Sequence, residues 1–261
     1  MPLITIFTPT YNRAYILPML YNSLLNQEND NFEWLIIDDG STDDTRILVD
    51  KWVLEQKISI RYLYQENQGK SQAINNGATN ALGELFFIVD SDDQLTNDAV
   101  SYVEKYWNKV SSNELAGLCF RRINVKDKQL IGGDLDFNIN EIVSNHVEFN
   151  LPFDKAEVFV TSKLREFQFP RFNNEKFVPE SLVWCQITEK YGMYYVLDKG
   201  IYLCEYLSDG YTVNFNKNLR CNPKGFMVYY KYVFLNSGFG YLRRLKAFLR
   251  YLQINCFRFA K

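Results

Sequence analysis

Three aspartates within four residues are the first candidates for chemistry in this chain. The sequence DSDD at residues 90–93 directly follows an apolar run that is typical of a buried strand. Three carboxylates at the end of such a strand repel one another, and leaving them unpaired costs free energy. Because Mg²⁺ and Mn²⁺ bind a few carboxylates together with phosphate oxygens and water, the pattern predicts a metal–diphosphate site. The alternative is an N-terminal cap for the helix expected at residues 96–110, since aspartates favour helix starts.

A doubled acid lies in a second loop, DDGSTD at residues 38–43, which also follows an apolar run. A carboxylate in that place accepts hydrogen bonds from a ribose hydroxyl or from the N–H group of a base. The alternative is turn and cap chemistry, which would account for Gly40, Ser41 and Asp43 but not for the doubled acid at Asp38 and Asp39.

Two more polar loops have the composition of a nucleotide site. In the loop at residues 8–13, Tyr11 offers a face on which a base can stack, and Arg13 offers a fork for phosphate. In the loop at residues 67–71, Lys70 and the backbone amides of a helix start suit an anion. The chain has no Walker A loop and no G-x-G-x-x-G, so its sequence gives dinucleotide binding no support.

Alternating strands and helices must position these loops. Apolar periodicity predicts strands at 3–7, 35–38, 58–64, 85–89 and 115–122, and helices at 14–27, 41–55, 70–82 and 96–110. The second of these helices is expected to begin at a capping box, in which Ser41 stands three residues before Asp44. This order is typical of a parallel sheet whose strand ends share one edge, so we expect all four loops to meet there.

The rest of the chain has weaker patterns. Loops with short strands are expected over 126–175, a helix at 179–191, strands around a turn at 198–200, and helices at 223–235 and 241–255. Trp184 and Tyr206 suit either an acceptor pocket or core packing, and His146 suits a loop better than a metal site. We expect one continuous unit with a C-terminal helical extension.

The four loops, in this order and spacing, resemble the family-2 glycosyltransferases of the GT-A fold. The matching segments are TPTYNR (8–13), IIDDGSTDDT (36–45), NQGKSQAIN (67–75) and VDSDD (89–93). The resemblance covers residues 3–125. It implies an inverting hexosyl- or N-acetylhexosaminyltransferase with a nucleotide-sugar donor, usually a UDP-sugar, and a divalent metal, Mn²⁺ or Mg²⁺. The acceptor it implies is a glycan or a lipid-linked sugar, in bacterial surface polysaccharide synthesis.

The fold implied is α/β: a GT-A domain with a Rossmann-like, mostly parallel sheet, helices on both faces, and a C-terminal helical extension. We expect the GT-A domain at 1–238, with a nucleotide-sugar-binding half at 1–125 and an acceptor-side half at 126–238. A basic amphipathic helix would follow at 239–261.

The resemblance also implies roles for individual residues. It implies a base pocket lined by Thr8, Pro9 and Tyr11, a hydrogen bond from uracil to Asp39, a place for Lys70 near the base or diphosphate, ribose binding by Asp90 beside Ser91 in the donor-nucleotide site, and metal binding by Asp92. Inverting transfer also needs a carboxylate that takes the proton of the acceptor hydroxyl.

In the family that acid usually lies at the start of a late helix, often in a Glu-Asp pair. The segment FVPESLVW at 177–184 supplies Glu180 as the base, with Ser181 where a second acid would stand. Two alternatives stay open. Glu180 is also explained as a first-turn acid stabilised by the helix dipole, and Asp209 is the reserve candidate for the base.

Charge and composition limit the partners and the location. The net charge is −2 over 261 residues, which predicts no nucleic-acid partner. Residues 239–261 hold six basic residues and no acidic one, which leaves 23 basic against 31 acidic residues elsewhere, a net charge of −8. A basic amphipathic helix can lie on an anionic membrane, or it can pack on the body with a solvated basic face.

Five cysteines without a C-x-x-C pair, and a strand-like run directly after Met1, favour a reduced cytoplasmic location. Peripheral contact with the inner face of the cell membrane would be compatible with that location. Two other functions stay open: a degenerate, non-catalytic nucleotide-sugar-binding module, and a nucleotidyltransferase-type enzyme. The latter would need a glycine-rich loop after the first strand, and TPTYNR does not supply one.

Overall fold

The computed structural model describes residues 1–110, 114–133, 141–144, 154–205 and 215–259. The strands are β1 (Ile4–Thr10), β2 (Phe32–Asp38), β3 (Ile60–Tyr64), β4 (Leu85–Ile88), β5 (Gln94–Leu95), β6 (Gly117–Asn124), β7 (Glu141–Ser144), β8 (Lys155–Val160) and β9 (Met193–Cys204). The helices are α1 (Leu17–Leu25), α2 (Thr45–Glu55), α3 (Lys70–Asn80), α4 (Ala99–Val110), α5 (Thr161–Leu164), α6 (Ser181–Tyr191), α7 (Phe215–Cys221), α8 (Pro223–Leu235) and α9 (Tyr241–Phe259).

All nine of these strands belong to one sheet with the order β3-β2-β1-β4-β8-β6-β9-β5, and β7 pairs with β9. The first four strands are parallel, as the alternation of strands and helices predicted. Beyond β4 the sheet is mixed, because β8 lies antiparallel between β4 and β6. The strand expected at 115–122 therefore exists as β6, but it does not neighbour β4.

Helices cover both faces of the sheet, as the resemblance implied. Alternate side chains of each strand point to opposite faces, so Ile6 packs with α1, α2 and α4 while Phe7 packs with α3 and α6. On the first face, the rings of Tyr21 and Trp52 stack with centroids 4.2 Å apart, and Trp34 of β2 packs against both at 6.0 and 5.8 Å. This core fixes the strands whose carboxyl ends form the site.

The strands expected around a turn at 198–200 are one continuous strand, β9, so the prediction of a turn there was wrong. The residues of that turn form an irregularity against β6, where Phe120 pairs with Val196 but Arg121 pairs with Gly200. A β-bulge absorbs extra residues without reversing the chain. Turn-forming residues therefore produced a bulge here.

The capping box expected at Ser41 is also wrong. Helix α2 begins at Thr45, and the Ser41 hydroxyl accepts a hydrogen bond from the backbone N–H of Asn12 at 2.8 Å. The Asp43 carboxylate binds the backbone N–H of Thr45 at 3.1 Å and that of Ala14 at 3.0 Å. Short polar side chains in this loop thus connect it to the loop after β1.

The C-terminal helices pack on one another and on α6. Leu219, Phe226 and Ile254 form one buried cluster, and Val233 and Ala247 join Cys185 of α6 in another. Within the described residues, no helix has the length and apolarity needed to cross a membrane.

Candidate functional site

The four polar loops meet at the carboxyl edge of the parallel strands. Backbone hydrogen bonds join them: the Asp39 N–H donates to the Thr10 carbonyl at 2.8 Å, and the Gln65 N–H donates to the Asp38 carbonyl at 2.9 Å. The Val89 N–H likewise donates to the Phe7 carbonyl at 2.8 Å. The loops therefore form one surface.

Asp38 is explained by turn and sheet chemistry. One carboxylate oxygen accepts the Ser41 backbone N–H at 2.7 Å, and the other accepts the Tyr62 hydroxyl at 2.6 Å. Its side chain is buried. Both carboxylate oxygens of Asp38 are therefore used to stabilise the loop, and we assign Asp38 no ligand contact.

Asp39 holds the loop that precedes α3. Its Oδ1 accepts hydrogen bonds from Gln65 Nε2 and from the Gln68 N–H, both at 2.8 Å, and its Oδ2 accepts the Gly69 N–H at 2.7 Å. An ionised carboxylate has about four acceptor positions, so these three donors leave about one. By this count, the three donors leave one acceptor position of the Asp39 carboxylate unused.

Lys70 joins two acids that lie far apart in the sequence. Its Nζ lies 2.6 Å from Asp90 Oδ1 and 2.9 Å from Glu180 Oε1. Burial alone would lower the pKa of Lys70, but the charges of Asp90 and Glu180 outweigh burial and raise that pKa. The ammonium group is therefore charged, and it holds both carboxylates at the edge of the sheet.

The acids of the DSDD sequence have different electrostatic environments. Burial would raise the pKa of Asp90, but Lys70 and Arg122 outweigh it and hold that pKa below its ordinary value. Burial and the charge of Asp90 raise the pKa of Asp92. Asp90 is thus neutralised by cations of the protein, whereas Asp92 is destabilised as an anion and would gain from an added cation.

The Asp92 carboxylate could serve as one ligand of a metal whose other ligands come from a bound molecule and water. No ion pair within the described residues holds it, and those residues contain no group of three His, Cys, Asp or Glu side chains that could hold a metal. Mg²⁺ commonly binds through one or two carboxylates together with substrate phosphates and water. The donor set at Asp92 therefore suits a metal that arrives with a diphosphate.

The alternative of a helix cap at DSDD is wrong. The short strand β5 follows the motif and pairs with β9, and α4 begins only at Ala99. Just before α4, the Thr96 hydroxyl donates to Asp98 Oδ1 at 2.6 Å. Residues other than the DSDD acids therefore occupy the start of α4.

Two residues behind the acids, Tyr202 and Arg122, were not predicted from the sequence to belong to the site. The Tyr202 hydroxyl donates to Asp93 Oδ2 at 2.7 Å and accepts the Asp90 backbone N–H at 3.0 Å. The Arg122 guanidinium lies 4.2 Å from the centre of the Tyr202 ring. Burial and Asp90 raise the pKa of Asp93 to about 7. Both Tyr202 and Arg122 lie within strands, where periodicity alone predicts core packing.

Two residues of the predicted base pocket, Thr8 and Pro9, lie deeper in the sheet than a loop position would. Strand β1 extends to Thr10, so both residues lie inside the strand and are buried. The Thr8 hydroxyl accepts the Trp34 indole N–H at 2.9 Å, which occupies it in the core. Of the three residues expected to line the pocket, Tyr11 has an exposed ring. Ser91 is buried beside the acids.

Glu180 directly precedes the first residue of α6, and its side chain makes no capping hydrogen bond. It extends to Lys70 instead. Trp184 is buried against Phe159, with ring centroids 4.6 Å apart, so core packing explains it. The other residues singled out in the second half, His146, Tyr206 and Asp209, lie outside the described residues.

The C-terminal helices position the segment that leads to Glu180. The Asn222 side-chain oxygen accepts the backbone N–H groups of Lys176 at 2.9 Å and Phe177 at 3.1 Å. On the opposite side, the Lys176 carbonyl packs directly on Gly69, the residue before Lys70. Gly69 has φ +90°, a conformation that favours glycine. The backbone of the loop before Lys70 therefore contacts the backbone of the segment before Glu180.

Comparison with known proteins identifies a family and named relatives. The sequence profile of glycosyl transferase family 2 matches residues 5–160. The GalNAc(5)-diNAcBac-PP-undecaprenol beta-1,3-glucosyltransferase of Campylobacter jejuni is 26% identical over 220 residues, which cover 84% of this chain and 70% of that protein. The chain spans only 21% and 20% of two further, longer relatives.

Solved structures show the same fold. Staphylococcus aureus TarS 1–349 in complex with UDP-GlcNAc matches with a TM-score of 0.62 and 20% identity, over 100% of this chain and 73% of that one. The mannosyltransferase of Pyrobaculum calidifontis in complex with GDP-Man and Mn²⁺ matches with a TM-score of 0.64 and 17% identity, over 98% of this chain and 69% of that one.

Proposed function

Since this chain belongs to glycosyl transferase family 2, a family of enzymes, we propose that it moves a hexose or N-acetylhexosamine from a UDP-sugar to a glycan or lipid-linked acceptor. The reaction is metal-dependent and inverts the anomeric carbon. The observation that carries the proposal is the contact of Lys70 with both Asp90 and Glu180, close in the chain to Asp92. This contact supports the proposal because one cation, Lys70, would then hold both the acid proposed to bind the donor and the acid proposed as the base.

The donor would lie across the carboxyl edge of β1, β2 and β4. Tyr11 would offer a stacking face for the base, and the remaining acceptor position of Asp39 would take a base N–H. Asp90 would bind the ribose. The similarity to folds that bind UDP-GlcNAc and GDP-Man supports a nucleotide-sugar at this edge.

Asp92 would hold a divalent cation, Mn²⁺ or Mg²⁺, together with the diphosphate of the donor. When bound, that cation stabilises the negative charge of the departing nucleotide. The raised pKa of Asp92 fits this role, because the carboxylate is poorly stabilised until a cation arrives.

Glu180 would be the base. The acceptor hydroxyl attacks the anomeric carbon on the face opposite the leaving diphosphate, the bond from sugar to diphosphate breaks, and the hydroxyl proton passes to the carboxylate. One such displacement inverts the anomeric configuration. Lys70 would hold Glu180 close to the donor through their 2.9 Å contact.

A lipid-linked acceptor is supported by the relative whose name gives a diphosphate-undecaprenol glycan as its substrate. A lipid-linked acceptor puts the reaction at a membrane surface, so the proposal includes peripheral contact through residues 239–261 on the inner face of the cell membrane.

Turnover with Glu180→Gln tests the catalytic part. UDP release is measured with a panel of UDP-sugars, Mn²⁺ and a bacterial lipid-linked glycan fraction as acceptor, and the product's anomeric configuration is read by NMR. We expect Glu180→Gln to lower turnover about 10²–10⁴-fold while donor affinity stays unchanged. Glu189→Gln, on the far end of α6, is the matched control. Donor binding without turnover in the unaltered protein would instead assign a non-catalytic module.

A further inference from the structure

Helix α9 presents an apolar face to solvent. Its exposed large apolar residues are Tyr241, Leu242, Leu245, Phe248, Leu249 and Leu252, here called the leucine face. They recur every three or four residues and therefore lie along one side of the helix. Leu242 is 71% and Leu249 is 57% exposed. A contiguous exposed apolar surface of this kind marks an interaction site.

Other residues hold α9 on the body of the protein. Ala247 and Ile254 are buried, in clusters with Val233 of α8 and with Phe226. Arg244 Nε donates to the Phe234 carbonyl at 3.0 Å. Ala247, Ile254 and Arg244 thus attach α9 to the body, and the exposed leucines point away from it. This differs from the alternative in which the helix packs its apolar face on the body.

Positive charge flanks the leucine face. Arg243, Lys246 and Arg250 are exposed on the same helix, and residues 239–261 contain no acidic residue. On a helix of 3.6 residues per turn, Lys246 and Arg250 fall beside Leu242 and Leu249. An apolar stripe with basic residues on its flank is the pattern of helices that lie in an anionic bilayer surface.

We propose that the leucine face inserts into the surface of an anionic membrane, with Lys246 and Arg250 on the lipid headgroups. A second copy of the chain fits less well, because pairing two such faces would bring together basic flanks that no acid on the helix neutralises. The proposal deepens the proposed function and rests on it only for the link to a lipid-borne acceptor.

The position of α9 connects this surface to the catalytic segment. Ile254 shares its buried cluster with Phe226, and Phe177 packs against that cluster. Phe177 lies three residues before Glu180 and is tied to α8 through Asn222. A membrane seated on α9 would therefore support the same helices that position Glu180.

Vesicle co-sedimentation of the full chain tests the proposal. Vesicles of phosphatidylcholine mixed with an equal amount of phosphatidylglycerol should bind the protein, and pure phosphatidylcholine should bind it more weakly. The double variant Leu242→Ser with Leu249→Ser should lower vesicle binding about tenfold or more.

The double variant Lys246→Gln with Arg250→Gln should lower binding to the anionic vesicles about thirtyfold and leave binding to neutral vesicles unaffected. The matched controls Leu54→Ser and Lys51→Gln change exposed residues of α2 and should bind normally.

Two results would overturn the proposal: unchanged vesicle binding in the serine pair, or concentration-dependent dimers that the serine pair abolishes, which would assign the face to a second copy. Donor binding, measured without vesicles, separates this inference from the proposed function. It should be the same in the serine pair and in the unaltered chain. If the unaltered chain binds vesicles but binds no UDP-sugar, the proposed function is contradicted and the membrane proposal stands.

Discussion

Single residues at the carboxyl edge divide into those that build the site and those left for a ligand. Asp38 and most of the Asp39 carboxylate are occupied by the protein, whereas Asp92 has no ion-pair partner within the described residues. The sequence correctly predicted acids at strand ends. It did not predict which acid the protein neutralises, because the neutralising cations Lys70 and Arg122 lie in other elements and reach Asp90 only in the folded chain.

Asp92→Asn tests the residue proposed to bind a metal. The substitution keeps the size of the side chain and removes its charge, so we expect Mn²⁺-dependent donor binding to weaken at least tenfold. The free energy of unfolding should stay the same or rise, since burial and Asp90 already disfavour this carboxylate. Calorimetry and urea denaturation measure the two effects. Asp50→Asn, exposed on α2, is the control, and unchanged Mn²⁺ dependence in the Asp92 variant would remove Asp92 from the metal site.

Tyr202→Phe tests the group behind the acids. The variant leaves Asp93 and the Asp90 N–H each without one hydrogen bond, so we expect a loss of about 1–3 kcal/mol in stability. The apparent affinity for Mn²⁺ should fall as well, because the loop that holds Asp92 is less constrained. Tyr21→Phe, whose hydroxyl binds Glu55 away from the site, should change stability only. An equal metal affinity in both variants would make Tyr202 a purely structural residue.

At the scale of elements, apolar periodicity predicted the parallel strands and most helices. It predicted short strands over 126–175, where β8 lies, but gave neither the bounds of β8 nor its antiparallel pairing with β4 and β6. It failed at β9, where turn-forming residues produced a bulge. Both misses arise from pairing partners that a local pattern does not contain.

The packing of α3 on the segment at 175–180 is tested with Gly69→Ala. A methyl group there would collide with the Lys176 carbonyl and would also face φ +90°. We expect a loss of about 1–3 kcal/mol in stability and a fall in turnover, since Lys70 would shift from Glu180. Gly133→Ala separates the two causes, because Gly133 also has positive φ but has open space around it. Equal effects in both variants would show that backbone strain alone is responsible.

At the scale of the whole molecule, the N-terminal half supplies the sheet edge where the four polar loops meet, and the C-terminal helices position Glu180, the proposed base. The first part was predictable, since four loops follow four strands of one sheet. For the C-terminal part, the sequence predicted only that Glu180 stands at the start of a helix. Its contact with Lys70 depends on how α6 and α8 pack, which a single sequence does not determine.

Asn222→Ala tests that support. The change removes the acceptor of the Lys176 and Phe177 N–H groups, so we expect kcat to fall several-fold while donor affinity stays unchanged. Stability should fall by about 1–3 kcal/mol. Asn236→Ala, at the other end of α8, is the control and should keep kcat. A change in donor affinity that equals the change in kcat would contradict a role through Glu180.

The most direct test of the account is calorimetric titration of the chain with UDP and UDP-sugars, with and without Mn²⁺, and with GDP-mannose in parallel. The account predicts Mn²⁺-dependent binding of UDP and a preference for one UDP-sugar. Binding of GDP-mannose instead, or no binding of any uridine nucleotide by the folded protein, would contradict it.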